Sequence, residues 1–258
     1  MLRMFWRVPA VLAIMLVYTM YIAIALGRVP AEKRNRFRAK IQRVGCKKIC
    51  KVLGIDVQLV GEVPEDGVQL AVCNHVGLLD TLVLASVVPV SFVAKSEVRG
   101  WPFVGWVCRM VGVIFVERDR RMQTGKFVEV VQNRMREHVR VLVFPEGTTS
   151  AGNSLLPFKT GAFASVAEMA DGSILPLYLY GVHVNGDEDR DTTLTVLGWR
   201  NGVPLLDHAS QLLRAKRIGI EVRVGKALPT TGQNRKELAK ESQAAVARLL
   251  KHVPAPAL

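Results

Sequence analysis

Cysteine is scarce in this chain. Four residues in 258, Cys46, Cys50, Cys73 and Cys108, form no C-x-x-C pair. They are too sparse for a disulfide framework, and a reducing compartment is the default. Cys46 and Cys50 lie four apart, which suits one helix face. With no matching His or Cys pair nearby they read as packing residues, not zinc ligands. A G-x-S-x-G elbow is missing, which argues against a serine hydrolase of the usual α/β kind. There is no internal repeat and no low-complexity linker. No zinc finger, RNA-recognition signature or basic zipper is present.

Charge of one sign is abundant, but only in one place. The formal net charge is +13. Residues 28–51 carry ten Lys and Arg against Glu32, and residues 52–258 keep only +2. The basic character is therefore a collar and not a property of the main domain, so nucleic acid is not expected as a partner. Half of the residues are hydrophobic, and the mean hydropathy is +0.22, high for a purely soluble protein.

Much of that apolar content sits at the N-terminus. Val8 to Leu26 is apolar apart from Thr19 and two tyrosines, long enough to cross a hydrocarbon core as a helix. Dense positive charge follows it, which disfavours a signal peptide and places residues 28 onward in the cytoplasm if the segment spans. A re-entrant or surface-lying placement is the alternative. Residues 31–53 read as a basic amphipathic helix suited to an anionic lipid surface, stopped by Gly54. We therefore divide the chain into an N-terminal membrane-associated portion, 1–54, and an α/β domain, 55–258.

From Ile55 short apolar strands alternate with helical stretches. The pattern predicts strands at Asp56–Val60, Gln69–Cys73, Ser91–Ala94, Val111–Val116, Arg140–Phe144, Ile174–Leu179, Thr192–Leu197 and Gly219–Val224. It predicts helices near Leu79–Ser86, Phe103–Met110, Lys126–His138, Ala162–Ala170, Leu205–Ala215 and Arg235–Lys251. The fold class is α/β: a largely parallel mixed sheet flanked by helices. Pro176, inside an apolar run, implies an edge strand or a bulge.

Four blocks carry candidate chemistry. In Asn74-His75-Val76-Gly77-Leu78-Leu79-Asp80 a histidine and a carboxylate stand five apart. On one continuous helix they would diverge by about 140°. They can meet if His75 lies on the loop after a strand and Asp80 in the first turn of the next helix, where the carboxylate would fix the imidazole tautomer. Taken alone, an incidental His at a helix start is the better reading of such a pair. The second block is an apolar strand from Gly112 through Phe115 that ends in Arg118, Arg120 and Arg121. Arg118, nearest the strand, is the candidate for an anionic group, while Arg120 and Arg121 read as solvated. In the third, Phe144-Pro145-Glu146-Gly147-Thr148, a strand runs straight into a turn. Glu146 could accept bonds from a ligand there, the amides around Gly147 and Thr148 could meet an anion, and Lys159 adds charge to the rim. Pro176 marks the fourth. His138, His183, His208 and His252 have no partner motif and read as structural or surface residues.

Together these blocks resemble the lysophosphatidate (1-acyl-glycerol-3-phosphate) acyltransferase family. N-H-x-x-x-x-D is matched at Asn74, His75 and Asp80, and the F-x-x-R strand end at Phe115 and Arg118. F-P-E-G-T is matched at Phe144 to Thr148, and the proline strand at Pro176. The blocks stand in the family's order across roughly residues 55–230. The resemblance implies acyl transfer from an acyl-CoA or acyl-carrier-protein thioester to the free hydroxyl of a lysolipid. His75 would then be the general base and Asp80 its orienter, with Arg118, Glu146 and Gly147 positioning the acceptor. It implies no metal or redox cofactor, and membrane lipids as surroundings. One departure stands out: many members read F-P-E-G-T-R-S, and this chain has Thr149 in place of that arginine. Lysophosphatidate is the first expected acceptor, and lyso-ornithine lipid, whose head group is an amino acid, a close second. A different class, a lipid-binding module without catalysis, is disfavoured by the intact His75, Asp80 and Glu146.

Overall fold

The computed structural model describes residues 2–65, 67, 69–116, 125–150, 152–199 and 202–251. Helix α1 (Leu2–Ala25) and helix α2 (Arg34–Leu53) come first. Strands β1 (Ile55–Val60) and β2 (Leu70–Cys73) follow, then α3 (Asp80–Val87) and β3 (Val90–Lys95). Next come α4 (Val104–Val111), β4 (Ile114–Val116), α5 (Gly125–Arg136) and β5 (Arg140–Val143). The remainder is α6 (Ala164–Ala167), β6 (Ser173–Val184), α7 (Arg190–Leu197), α8 (Leu205–Arg214), β7 (Ile218–Val224), β8 (Leu228–Pro229) and α9 (Arg235–Lys251).

The strands form one mixed sheet in the order β1-β7-β6-β2-β5-β3-β4, with β8 added against β6. The run from β6 to β4 is parallel, and β7 turns against β6 to bring in β1. All four residues of β2 and of β5 are buried, because helices cover both faces. One core lies under α2, α3, α7 and α8, and a second lies under α5, α6 and α9. Parallel strands bring the ends of β2, β5 and β4 to one edge, where α/β sheets gather ligands.

Two expectations need correction. Thr192–Leu197 is helix α7 and not a strand, although its Thr and Val favour strands. Asp189 caps the helix by accepting from Thr192 N at 2.8 Å, and Thr193, Leu194 and Leu197 form its buried face, so packing and a cap override propensity. Pro176 is not on an edge, since β6 is central. It sits where β6 changes partner on one side, between the pairs Ile174–Leu228 and Leu177–Val224, and its carbonyl accepts from Gly225 N at 2.9 Å. The missing amide falls at that break in the ladder.

Helix α1 packs along α2, α4 and α8. Near its start, the buried Arg7 guanidinium donates to Leu213 O at 2.9 Å and Ala215 O at 2.5 Å. Further along, Tyr18 lies against Gly45 and the Tyr21 ring is 6.0 Å from Phe37. The helix therefore runs antiparallel to α2 over most of its length. Its outer face is apolar and exposed at Phe5, Leu12, Leu16, Val17 and Ile24.

Candidate active site

The site is built on the ends of neighbouring strands β2 and β5. At the end of β2 the buried Asn74 side chain replaces a strand residue's backbone. Its Nδ2 donates to Leu179 O at 3.1 Å and its Oδ1 accepts from Leu179 N at 2.7 Å. This satisfies β6 where β2 stops, and the chain can peel away at His75 with Leu179 N and O still paired. The sequence offered no role for Asn74 beyond membership of a motif.

The next five residues form a tight turn around one carboxylate oxygen. Asp80 opens α3 and its Oδ2 accepts from Val76 N at 2.6 Å and Gly77 N at 3.0 Å. The same oxygen lies 2.7 Å from His75 Nδ1. His75 and Asp80 are thus brought together as loop residue and first-turn residue. Gly77 is needed here, because a Cβ would run into the carbonyl oxygen of Leu197. With a carboxylate on Nδ1, that nitrogen carries the proton and Nε2 presents its lone pair outward, a tautomer assigned from the partner. The Asp80 side chain is 8% exposed and that of His75 22%, so the imidazole stays reachable from solvent while its partner does not. The ring stacks on Phe144, with centroids 4.2 Å apart.

Glu146 lies at the same strand ends and is 2% exposed. Its Oε1 accepts from His75 N at 2.8 Å and its Oε2 from Leu156 N at 2.9 Å. Burial pushes this carboxyl above its usual range, while the Leu156 and His75 amides and the Ser150 hydroxyl pull it back. Both oxygens already serve backbone amides, so Glu146 ties the two loops together beneath His75. Ser150 adds a second tie, from its N to His75 O at 2.7 Å. Gly147 has φ +72°, and the Lys159 ammonium lies over it, 2.5 Å from where a Cβ would stand. The positive φ favours glycine here, while the exposed Lys159 side chain could swing aside. Thr148 and Lys159 are exposed on the rim. Thr149 donates from Oγ1 to Trp199 O at 2.8 Å, fixing the turn to a neighbouring loop. Arg118 lies outside the described residues, as do Arg120 and Arg121. The strand that leads to it, β4, ends on the same side of the sheet.

Behind the turn sits His208 of α8, buried and stacked 6.2 Å from Trp199. Its Nε2 lies 3.3 Å from where a Gly77 Cβ would stand. Burial lowers the His208 pKa, and the Asp80 charge opposes that shift. Among the described residues, no three of His, Cys, Asp and Glu are grouped so as to hold a metal ion.

An aspartate-held histidine after one strand and a buried glutamate after its neighbour fit the class of protein that the sequence motifs resemble, the acyltransferases. Residues 54–180 match the Acyltransferase family model. The chain is 31% identical over 249 residues to the lyso-ornithine lipid O-acyltransferase of Brucella abortus, covering 92% of this chain and 93% of that one. It is 34% identical over 198 residues to the enzyme of that name from Rhizobium meliloti, covering 74% and 68%. A 1-acyl-sn-glycerol-3-phosphate acyltransferase of Neisseria meningitidis shares 33% over 139 residues, about half of each chain. The crystal structure of the LPA acyltransferase PlsC from Thermotoga maritima superposes with a TM-score of 0.65 over 95% of this chain and 96% of that one, at 21% identity, and shows the same fold. This protein belongs to the acyltransferase family and is an O-acyltransferase of the lysolipid group.

Proposed function

We propose that the chain moves a fatty acyl group from a coenzyme A or acyl-carrier-protein thioester to the hydroxyl of lyso-ornithine lipid, with His75 as general base. The observation that carries the mechanism is the 2.7 Å contact of His75 Nδ1 with the nearly buried Asp80. Nε2 takes the proton as the acceptor oxygen attacks the thioester carbonyl. The C–O bond forms, the C–S bond breaks, and the proton passes to the leaving thiolate. A positioned base of this kind contributes about 10²–10⁴-fold. Asp80 stabilises the imidazolium as it forms. Glu146 and Asn74 hold the loop that carries the base, and Gly147, Thr148 and Lys159 form the rim for the acceptor, with Arg118, outside the described residues, as the further acceptor-binding residue the family resemblance implies.

Lyso-ornithine lipid is preferred over lysophosphatidate on two grounds. Thr149 supplies no cation where many relatives have one, and its hydroxyl is engaged by Trp199 O. Four relatives matched over 68–93% of their own length are named lyso-ornithine lipid O-acyltransferases. A panel assay with purified protein in detergent tests both claims. Transfer to lyso-ornithine lipid is expected, with a higher kcat/KM than for 1-acyl-glycerol-3-phosphate, and His75→Ala should abolish it. Absence of transfer to any lysolipid would overturn the reading.

We also infer that the domain sits on the cytoplasmic face, where the basic collar of residues 28–51 meets anionic lipid, with α1 held in the plane of the membrane and not across it. Arg7 and Tyr21, nearly four turns apart on α1, are held by carbonyls at the end of α8 and by Phe37 of α2, a helix that packs on α3 and β1 of the domain. A helix leaving the domain to span a bilayer would lose both contacts.

A further inference from the structure

The crossover from β3 to β4 is unusual for an edge of an α/β sheet. Residues 98–116 contain no acidic residue and two arginines, Arg99 and Arg109, among Trp101, Phe103, Trp106 and a run of aliphatic side chains. A crossover helix of that composition should bury its apolar stripe. Here Gly105 is the single buried residue of α4. Trp101 is 41% exposed, and the other apolar side chains of the unit are only half-buried. Apolar groups therefore point outward as well as inward.

The unit is also stiff. The 3₁₀ turn Ser96–Gly100 is clasped to α4, with Gly105 N donating to Trp101 O at 2.9 Å and Arg109 donating to Arg99 O at 3.0 Å. Phe103 is held at φ +58°, a conformation disfavoured for a bulky side chain. It sits 6.0 Å from the Trp106 ring. Arg99 lies 6.0 Å over Phe115. Finally, α4 packs against α1, the apolar helix whose outer face is exposed.

We propose that residues 98–111 are a second lipid-docking element, which continues the α1 surface and rests in the head-group layer of an anionic bilayer. Trp and Arg without carboxylates are the chemistry of that layer: the indole has an apolar body and a polar N–H, and the guanidinium meets phosphate. Continuity with α1 selects a bilayer over a protein partner as the occupant. The placement has a consequence for the reaction. Strand β4 leaves this element and ends on the side of the sheet that carries His75, so docking sets that side at head-group depth. This part rests on the acceptor being a bilayer lipid.

The test uses full-length protein and vesicles of phosphatidylcholine and phosphatidylglycerol, three to one, brominated at a shallow acyl position. Three proteins each keep one tryptophan, Trp6, Trp101 or Trp199, with the others changed to Phe. Trp6 on α1 and Trp101 should both shift to the blue and be quenched, and Trp199 should not. Quenching of Trp6 without Trp101 overturns the proposal while α1 attachment stands. Quenching of neither, with no co-flotation, overturns the membrane reading itself. As a second measure, Trp101→Gln should weaken vesicle binding about tenfold, the scale expected from losing much of one buried indole. Its turnover of a short-chain, monomeric lysolipid should be unchanged. Unaltered vesicle binding by that variant would also refute the proposal.

Discussion

Asp80→Asn isolates the charge of one atom. In the native chain Asp80 Oδ2 receives Val76 N, Gly77 N and the His75 Nδ1 proton. While the imidazole is neutral its attraction to the carboxylate is small. As Nε2 takes the proton, an ion pair develops at 2.7 Å. At an effective dielectric of about 20 a full pair at that distance is worth about 6 kcal/mol. With roughly half the charge developed in the transition state the share is about 3 kcal/mol, or about a hundredfold in rate. The amide oxygen of the variant takes the place of Oδ2 and keeps the two backbone donors and the Nδ1 proton, so the tautomer is retained and the lost charge is the whole effect. We therefore expect kcat to fall by about a hundredfold, with the KM for the thioester little changed and the melting temperature close to native. Release of free thiol from an acyl thioester, with and without lysolipid, measures this directly. A kcat within tenfold of native would refute the role of Asp80.

Three further outcomes follow from the same geometry. Glu146→Gln leaves one of two buried amides, His75 N or Leu156 N, facing an NH₂ group. It should cost about 1–3 kcal/mol, lower Tm by about 2–4 °C for each of these, and reduce turnover by loosening the His75 loop; an unchanged Tm would contradict the bridging role. Asn74→Ala strips both partners from Leu179 and should cost about 2–4 kcal/mol in chemical denaturation, against less than about 0.5 kcal/mol for a surface substitution. For His208, burial holds the folded-state pKa below the ordinary 6.5. The unfolded chain therefore binds more protons between those two values, and stability drops as pH falls below about 6.5. His208→Phe should flatten that part of a Tm-versus-pH curve, and an identical curve would contradict the assignment.

The strand-end chemistry was legible in sequence because it is local. Gly77 between His75 and Asp80 announces a turn, and Phe144-Pro145-Glu146-Gly147 announces a strand that stops. What sequence did not carry was which strands are neighbours. Only the order β6-β2-β5 explains why Asn74 reaches Leu179 and why Glu146 lies beneath His75. From sequence, Glu146 was read as a ligand-facing carboxylate. The structure finds its oxygens occupied by amides 10 and 71 positions away in the chain. Thr192–Leu197 misleads for the opposite reason: its β-branched residues favour a strand, and the Asp189 cap and a buried face outweigh them. His208 gives no signal, because Trp199, on which it stacks, and the Gly77 turn beside it come from other segments. Its burial inside an amphipathic helix was the one available hint.

The central claim is that His75 drives acyl transfer to lyso-ornithine lipid. The most direct measurement offers purified native protein and His75→Ala an acyl thioester with equimolar lyso-ornithine lipid and 1-acyl-glycerol-3-phosphate, and quantifies both products by mass spectrometry. The account predicts acylated ornithine lipid as the main product of the native protein and neither product from the variant. Phosphatidate as the main product would contradict the acceptor assignment, and turnover by His75→Ala would contradict the mechanism.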